Sequence, residues 1–326
     1  GPGDPRVVGA GALQGVSMSS ALILHQYELS PFSEKIRRIL AYKRLPWTAV
    51  RAPAVMPKPE LVALTGGYRK IPVLQIANHV YIDTALIARQ LERICPLPSL
   101  YTPPIAESLA EWADSRLFDA TLPHLGRPSR FDDLLRFMTQ HEMTTFAEDR
   151  KAMRADAPRT AETGKSQLAH LRQYLQRIEA SLAQSPYLLG SAPSIADFSV
   201  HHSLWLVSLV KPEALAEAPH TRAFLERISG IPDPAIASIT AEEALEVSRR
   251  APAAWQPSAA WQDPTGYSAG QNVVMRAADY GRDPVHGSLV FADDGELVLK
   301  RQDARAGTVY LHFPRRGYEV AAAPAA

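Results

Sequence analysis

The hydrophobic pattern of this chain of 326 residues changes character twice. Short apolar runs, which are typical of strands, occur between residues 21 and 82 and again beyond residue 270. Between these regions, apolar residues recur three and four positions apart, as in Leu168, Leu171 and Leu175, which is the spacing of a helix face. The pattern therefore predicts an α/β unit, then an all-helical unit, and finally a small β-rich module.

The boundaries of these units are expected where the composition changes. Residues 1–20 are rich in glycine and small residues, and we expect a disordered leader or the remnant of a tag. The α/β unit is expected at residues 21–100 and the helical unit at residues 104–248. Residues 249–266 are rich in alanine, proline and tryptophan and are a predicted linker to the β-rich module, residues 267–326.

The overall composition argues against several classes of partner. Thirty-five basic residues nearly balance 34 acidic residues, so the net charge attracts neither nucleic acid nor an acidic membrane surface. No apolar run reaches the roughly 20 residues that span a bilayer, and no secretion signal is recognisable. The single cysteine, Cys95, excludes an intrachain disulfide and a multi-cysteine metal site. These features favour a cytoplasmic protein without nucleic-acid or membrane partners.

The first unit is predicted to contain a strand, a turn and a helix. Residues 21–26 (ALILHQ) form an apolar run suited to a buried strand, and the sequence SPFS follows closely. Ser30 and Pro31 occupy positions at which helices commonly begin. Ile36, Ile39 and Leu40 then follow helical spacing. This order is typical of an α/β domain.

Two further motifs follow at intervals along the chain. The runs KIPVLQI and NHVYI predict a hairpin, and Asp83-Thr84 directly after it predicts the start of a helix. In the helical unit, the motif SIADF places Ser194 and Asp197 three residues apart, which is the spacing of a capping box.

Together, SPFSEKIRRIL, KIPVL and SIADF make residues 20–240 resemble the glutathione transferase superfamily, because the three motifs occur in its order and spacing. The Ser-Pro-Phe form is most similar to the serine-type tau and zeta classes and to bacterial relatives. The resemblance implies a thioredoxin-like N-terminal domain, an all-helical second domain and a homodimer. The β-rich module resembles an extension found behind some bacterial transferase-like domains, to which no role is assigned. Arg315, Arg316 and Tyr318 are candidates for contacting a partner or closing over the ligand pocket, and the simpler interpretation is a cover for the helical domain or a dimer contact.

The resemblance assigns catalysis to Ser30. A thiol with a pKa of about 8.5 is mostly protonated near neutral pH, so a hydroxyl donor and a helix N-terminus would favour the thiolate of glutathione. Tyr27 is the alternative donor, since other classes of the superfamily use a tyrosine near this strand end. A simpler interpretation is that Ser30 and Ser33 only start a helix. Glu28 counts against activation, because a nearby carboxylate raises the pKa of a thiol.

The resemblance also predicts which residues bind glutathione. Pro72 resembles the cis-proline of the superfamily, and the ligand is expected to pair with the backbone of Ile71 like an added strand. Asp83 and Thr84 stand where the family usually has Glu-Ser. Asp83 is expected to face the ammonium of glutathione, and Thr84 to bind the γ-glutamyl carboxylate at the start of a helix.

Phe32 and Lys70 complete the predicted glutathione-binding set. Lys70 and Arg69 are alternative partners for the glycyl carboxylate, unless both are only solvated loop charges. No metal is expected. The neighbouring His201 and His202 diverge by about 100° on a helix, and no third ligand is apparent.

The predicted activity is that of a glutathione-dependent transferase, which conjugates the thiolate to a small, apolar electrophile or assists its isomerisation. Trp112, Arg116, Trp205 and residues 131–143 are candidates for lining the pocket of this second substrate, although such aromatic residues are more often core. Thiol transfer and quinone reduction are disfavoured, since the family pattern for them has a cysteine where Ser30 stands. The alternatives are a non-catalytic scaffold that uses the β-rich module and a carrier of apolar ligands.

Overall fold

The computed structural model describes residues 21–125, 137–158 and 164–323. The leader expected at residues 1–20 lies outside these ranges, as do residues 131–136 of the stretch predicted to line the pocket. Within the second range, an α-helix spans Gln140–Met153.

The N-terminal part has the predicted alternation of strands and helices. Its elements are β1 (Ile23–Gln26), α1 (Pro31–Tyr42), β2 (Trp47–Arg51), α2 (Pro59–Thr65), β3 (Val73–Ile76), β4 (His79–Ile82) and α3 (Thr84–Ile94). Strand β1 pairs in parallel with β2 and antiparallel with β3, and β4 lies antiparallel beside β3. This topology confirms the predicted thioredoxin-like domain.

The middle of the chain is helical, as predicted. Its described elements are α4 (Ala106–Trp112), a π-helical turn (Ala113–Leu117), α5 (Phe118–Leu125), α6 (Gln140–Met153), α7 (Gly164–Leu182), α8 (Ile195–Val210), a short 3₁₀ helix (Pro212–Leu215) and α9 (Pro219–Ser229). At the start of α8, the N–H of Ser194 donates to the Asp197 carboxylate at 2.8 Å, which is half of the predicted capping box. None of the described helices combines the length and the apolar character needed to cross a membrane.

The C-terminal extension is the β-rich part of the chain from residue 267 onward. It contains β6 (Asn272–Ala277), β7 (Val285–Ala292), β8 (Glu296–Asp303), β9 (Gly307–Pro314) and β10 (Tyr318–Ala322), which confirms the predicted β-rich character. Strand β9 pairs in parallel with β4, with Tyr310 opposite His79. The extension therefore continues the sheet of the thioredoxin-like domain and is not a separate sheet.

The chain between the helical part and the extension returns to the thioredoxin-like domain. The short strand β5 (Ile236–Ser238) pairs in parallel with β2 at the opposite edge of the sheet. Helix α10 (Ala241–Arg250) follows, and Leu245 is buried with side chains of the sheet and the extension. In the predicted linker, the Trp255 ring packs edge-on against Tyr310 at 5.2 Å. The complete sheet has the order β10-β6-β7-β8-β9-β4-β3-β1-β2-β5.

The two faces of this sheet bury different cores, because successive residues of a strand point to opposite faces. Tyr81 of β4 packs in the core that also contains α1, α3 and the helical part. Its neighbours Val80 and Ile82 pack in the second core, with α2, α10 and strands of the extension. The extension thus shares a hydrophobic core with the predicted glutathione-binding domain.

Candidate functional site

Ser30 lies at the N-terminus of α1. Its backbone is extended (φ −71°, ψ 115°), and its Oγ accepts a hydrogen bond of 3.1 Å from the backbone N–H of Ser33. Because Oγ accepts this bond, its own proton is free to donate to a ligand. Ser30 is almost fully buried yet contributes to the wall of a large cavity. It therefore caps the helix and also faces a space in which a ligand can bind.

Tyr27, the alternative donor, contributes to the wall of the same cavity. Its hydroxyl oxygen accepts a hydrogen bond of 3.2 Å from Nη2 of Arg150 on α6. The backbone carbonyl of Tyr27 also accepts the N–H of Ser30 at 3.2 Å. The structure thus brings both predicted donors to one wall, and the helix N-terminus is at Ser30.

The peptide bond between Ile71 and Pro72 is cis. Both residues contribute to the wall of a second, smaller cavity, and Ile71 also reaches the large one. Strand β3 begins at the next residue, Val73. The chain segment that was predicted to pair with the ligand backbone therefore borders both cavities.

Asp83 and Thr84 contribute to the wall of the smaller cavity at the N-terminus of α3. Asp83 has φ +76°, a region that residues with side chains rarely adopt, and its Oδ1 accepts the N–H of Ala85 at 2.9 Å. The hydroxyl of Tyr318, from the extension, donates to Oδ2 of Asp83 at 3.3 Å. Burial raises the pKa of Asp83 above its ordinary value, although the nearby Lys70 opposes this shift.

A buried charge network supports the same helix start. Nζ of Lys35 donates to Oδ2 of Asp114 at 2.6 Å and to Oγ1 of Thr84 at 3.3 Å. Nε2 of His202 lies 2.8 Å from the other carboxylate oxygen of Asp114. Burial alone would raise the pKa of Asp114, but Lys35 and His202 together hold it well below its usual range. The network places a positive charge behind Thr84, where a ligand carboxylate is expected.

The predicted partners of the glycyl carboxylate are already paired within the chain. Arg69 contacts Asp149 at 2.5 Å, and Nζ of Lys70 contacts Asp279 of the extension at 2.7 Å. A further cation, Lys58, was not predicted. It is almost fully buried in the wall of the large cavity, and its Nζ donates to the backbone carbonyl of Arg69 at 3.0 Å. The only sequence signal for Lys58 is its place between two prolines at the start of α2.

The pKa of Lys58 is lowered to about 7, chiefly by burial and then by the positive charge of Arg150. Asp149 and Glu142 oppose this shift, and Arg69 adds to it. Lys58 therefore changes its charge within the physiological pH range.

The two cavities adjoin each other. The smaller one has a volume of about 380 Å³ and contains the predicted glutathione-binding residues. The larger one has a volume of about 760 Å³, and most of its wall is apolar. Six residues belong to both walls, namely Phe32, Lys70, Ile71, Phe118, Arg154 and Tyr280. Phe32, a predicted site residue, packs edge-on against Phe118 at 4.8 Å in this shared wall.

The extension supplies side chains that the sequence did not indicate. Tyr280 borders both cavities, and its ring lies between Nζ of Lys70 at 4.3 Å and the guanidinium of Arg154 at 4.2 Å. The N–H of Gly281 donates to the carbonyl of Met153 on α6 at 2.8 Å. This loop between β6 and β7 therefore contacts both halves of the site. No local sequence signal places it there.

Some of the predicted pocket residues are elsewhere. Trp112, Arg116 and Trp205 border neither cavity, and Trp112 instead packs edge-on against Tyr174 at 5.1 Å. From the predicted stretch 131–143, Met138 and Met143 border the large cavity, while residues 131–136 lie outside the described ranges.

The two histidines of α8 have separate partners. Nε2 of His201 lies 3.0 Å from the hydroxyl of Ser229, whereas His202 contacts Asp114. Over residues 21–125, 137–158 and 164–323, no group of three or more His, Cys, Asp or Glu side chains is placed to hold a metal ion. Cys95 follows the last turn of α3 and borders neither cavity.

Comparison with known proteins agrees with this architecture. The family model of the glutathione S-transferase N-terminal domain matches residues 24–99, and that of the C-terminal domain matches residues 128–232. These matches cover more than half of the chain. No curated protein matches it significantly.

Two solved structures show how far the similarity extends. A glutathione S-transferase from Rhodospirillum rubrum F11 is 20% identical over 65% of this chain and 89% of its own, with a TM-score of 0.50, and shows a similar fold. A GST-like protein from Pseudomonas syringae is 34% identical over 93% of this chain and 100% of its own, with a TM-score of 0.75. That coverage includes most of the C-terminal extension. The chain belongs to the glutathione S-transferase superfamily.

Proposed function

We propose that this glutathione transferase-type protein activates the thiol of glutathione with Ser30, and that the thiolate attacks a small electrophile whose body is largely apolar. The observation that carries the proposal is the position of Ser30, which caps α1 and borders the large apolar cavity beside Ile71. Glutathione that follows the backbone of Ile71 and Pro72, with its γ-glutamyl end at Thr84, directs its thiol toward that cavity.

The chemistry requires only a neutral hydroxyl and a helix N-terminus. The Ser30 hydroxyl donates to the sulfur, and the partial positive charge of the first turn of α1 favours the anion. The thiol releases its proton to solvent as the thiolate forms. The thiolate then forms a carbon–sulfur bond with the electrophile, and the leaving group departs with the electron pair of the broken bond. Tyr27 is the second candidate donor, because its proton is also free. It lacks the helix N-terminus that supports Ser30.

The charged ends of glutathione are proposed to bind side chains of opposite charge or helix N–H groups in the walls of the two cavities. The γ-glutamyl carboxylate binds at Thr84, in front of Lys35, and the ammonium faces Asp83. Lys70 and Lys58, which contribute to the wall of the large cavity, are the cations that receive the glycyl carboxylate. The aspartate is one methylene shorter than the glutamate usual in the family, and Tyr318 of the extension contacts it.

The test is a calorimetric titration with glutathione, together with a titration of the ultraviolet absorbance of the bound thiolate against pH. We expect saturable binding at millimolar concentration or below, and a thiol pKa at least about one unit under the ordinary value of about 8.5. S-methylglutathione, which has no ionisable thiol, is the control for the absorbance. Absence of binding at millimolar glutathione would overturn the proposal, and binding with an unshifted pKa would remove Ser30 from the mechanism.

The alternative of a non-catalytic scaffold is not favoured. It assigned the C-terminal extension to the binding of another protein. In the structure, β9 of the extension pairs with β4, and Tyr280 borders both cavities. These parts of the extension are therefore committed to contacts within the chain.

A further inference from the structure

The large cavity carries charge of one sign. Its described wall contains no acidic side chain but five cationic residues, namely Lys58, Arg69, Lys70, Arg150 and Arg154. The smaller cavity differs, since four aspartates stand beside Lys70 and Arg154 in its wall. The rest of the large wall is mostly aliphatic, aromatic or methionine side chains. This cavity therefore combines apolar surface with a cluster of positive charges.

Acidic neighbours behind the wall cancel only part of this charge. Asp149 is shared by two of the cations, since it lies 2.5 Å from both Arg69 and Arg150. Asp279 pairs with Lys70 at 2.7 Å. Two carboxylates thus form ion pairs with three of the five cations.

Within residues 21–125, 137–158 and 164–323, the other two cations have no acidic partner. Among the ion pairs of the described residues, none involves Lys58 or Arg154. Glu142, the remaining acid near Lys58, is paired with Arg51 at 2.7 Å. Even where Lys58 is uncharged, the other four cations of the described wall share only two carboxylates. This is more positive charge than the single glycyl carboxylate of glutathione can neutralise.

Two of the cations are arranged as a pair on the helical half of the site. Arg150 and Arg154 are four positions apart at the end of α6, so they occupy one face of the helix. Each guanidinium lies 4.2 Å from the centre of an aromatic ring, Arg150 over Phe146 and Arg154 over Tyr280. A guanidinium that stacks through its face keeps N–H groups at its edge for a carboxylate. Arg150 already donates to Asp149, to the hydroxyl of Tyr27 and to the carbonyl of Ala54, which leaves its Nε–H and one Nη1–H among the described contacts. Like charges at this spacing repel each other, and an anion between them would relieve that repulsion.

On the basis of the function proposed above, we propose that the electrophilic substrate is an amphipathic anion. Its apolar or aromatic body fills the large cavity, and its carboxylate binds between Arg150 and Arg154. The carboxylate takes no part in the reaction. Sulfur replaces the leaving group elsewhere on the molecule, and the leaving group keeps the bonding electron pair.

The proposal can be tested without glutathione, by displacement of phenylnaphthylamine, a neutral fluorescent dye that binds apolar cavities. Two competitors of nearly equal shape are compared, para-biphenylcarboxylate and the uncharged para-biphenylcarboxamide. We expect the carboxylate to bind about tenfold more tightly at low salt, because charge-assisted bonds to guanidinium are stronger than neutral ones. Where the dye itself fails to bind, calorimetric titration with each competitor replaces it.

The discriminating variant is Arg154→Gln, because Arg154 is exposed to solvent and the fold is expected to tolerate its loss. It should reduce the affinity for the carboxylate about fivefold and change that for the carboxamide less than about twofold. Lys151→Gln is the matched control, since Lys151 lies on the same helix, carries the same charge and borders neither cavity. Arg150→Gln is a second variant with the same expected direction.

Three results would overturn the proposal. They are equal affinity for carboxylate and carboxamide, an equal loss in Lys151→Gln and Arg154→Gln, and no saturable binding of either competitor. These measurements are independent of glutathione. A protein that prefers the carboxylate but does not bind glutathione would therefore refute the proposed transferase function and leave the anion site standing.

Discussion

The hydroxyl of Tyr318 donates a hydrogen bond of 3.3 Å to the carboxylate of Asp83. A second hydroxyl, that of Tyr68, lies 3.0 Å from the Tyr318 hydroxyl. Since Asp83 has a backbone conformation that is rare for residues with side chains, the contacts around it determine where its carboxylate points. A residue of the C-terminal extension thus orients an acid of the proposed glutathione site.

Replacement Tyr318→Phe removes this donor while it keeps the ring. We expect the dissociation constant for glutathione to rise about three- to tenfold, which is the loss expected for one hydrogen bond to a charged group. Tyr267→Phe is the matched control, because its hydroxyl bonds to the carbonyl of Val320 in the same extension at 3.2 Å. Calorimetric titration with glutathione gives the dissociation constants of both variants. If Tyr318→Phe binds glutathione as tightly as the unchanged protein, the position of the Asp83 carboxylate does not depend on Tyr318.

Replacement Ser30→Ala separates the two roles of this hydroxyl. We expect turnover with chlorodinitrobenzene to fall about 100-fold and the dissociation constant for glutathione to change less than about threefold, since the bond is strongest with the anionic sulfur. The helix loses its cap as well, at a cost of about 1 kcal/mol.

The control for the lost cap is Thr240→Ala. Thr240 caps α10, where its Oγ1 accepts the N–H of Glu243 at 3.1 Å, and it borders neither cavity. The Thr240→Ala variant should lose about as much free energy of unfolding as Ser30→Ala and should retain its turnover. If Ser30→Ala keeps full turnover, Ser30 is not the donor and Tyr27→Phe becomes the variant of interest.

The lowered pKa of Lys58 makes stability depend on pH. Burial is its main cause, followed by Arg150, and the value falls from 10.5 to about 7. Between these values the unfolded chain binds a proton that the folded protein lacks. The free energy of unfolding should therefore rise with pH above about 7, by at most about 1.4 kcal/mol per pH unit from this group.

The measurement is urea denaturation of the protein and of Lys58→Met at about pH 7, 8 and 9, which lie between the folded and the unfolded pKa of Lys58. The variant should lack the rise that the protein shows. Lys151→Met, on the exposed side of α6, should keep it. Parallel profiles for the protein and Lys58→Met would show that Lys58 stays charged across this range.

The buried network behind Thr84 should be costly to break. Replacement Asp114→Asn leaves Lys35 as a buried cation without a counter-charge, and we expect a loss of about 3 to 5 kcal/mol. Glu107→Gln, in an exposed ion pair with Arg89, should cost less than about 1 kcal/mol. Denaturation midpoints provide the comparison. A loss for Asp114→Asn as small as that for Glu107→Gln would show that Lys35 finds another partner.

The parts of the site that the sequence predicted are defined by local interactions. Ser30 and Asp83 each accept a bond from a backbone N–H within three residues, and such capping patterns are readable from residue type and spacing. The hairpin that carries Pro72 at its start follows from alternation and a short turn. The roles of Ser30, Tyr27 and the predicted glutathione-binding residues stay predictions until the variants are measured.

The remaining features depend on contacts between distant parts of the chain. Strand β5 (Ile236–Ser238) is exposed and has only three residues, too few to show the apolar alternation that marks a strand. The parallel pairing of β9 with β4 cannot be predicted from a hairpin turn, because no such turn connects parallel strands. Tyr280 is positioned at the site by contacts between distant residues, such as the bond between Gly281 and Met153 and the ion pair between Asp279 and Lys70. Residue type alone does not specify which edge a distant strand will join.

The parallel pairing of β4 with β9 has a consequence for the order in which the protein is made. A ribosome completes β4 long before β9, so the growing chain carries a sheet with an open edge while the whole helical part is being synthesised. An open edge of this kind is a template for pairing with other chains. We therefore expect newly made chains to need protection from aggregation until the β9 sequence has emerged.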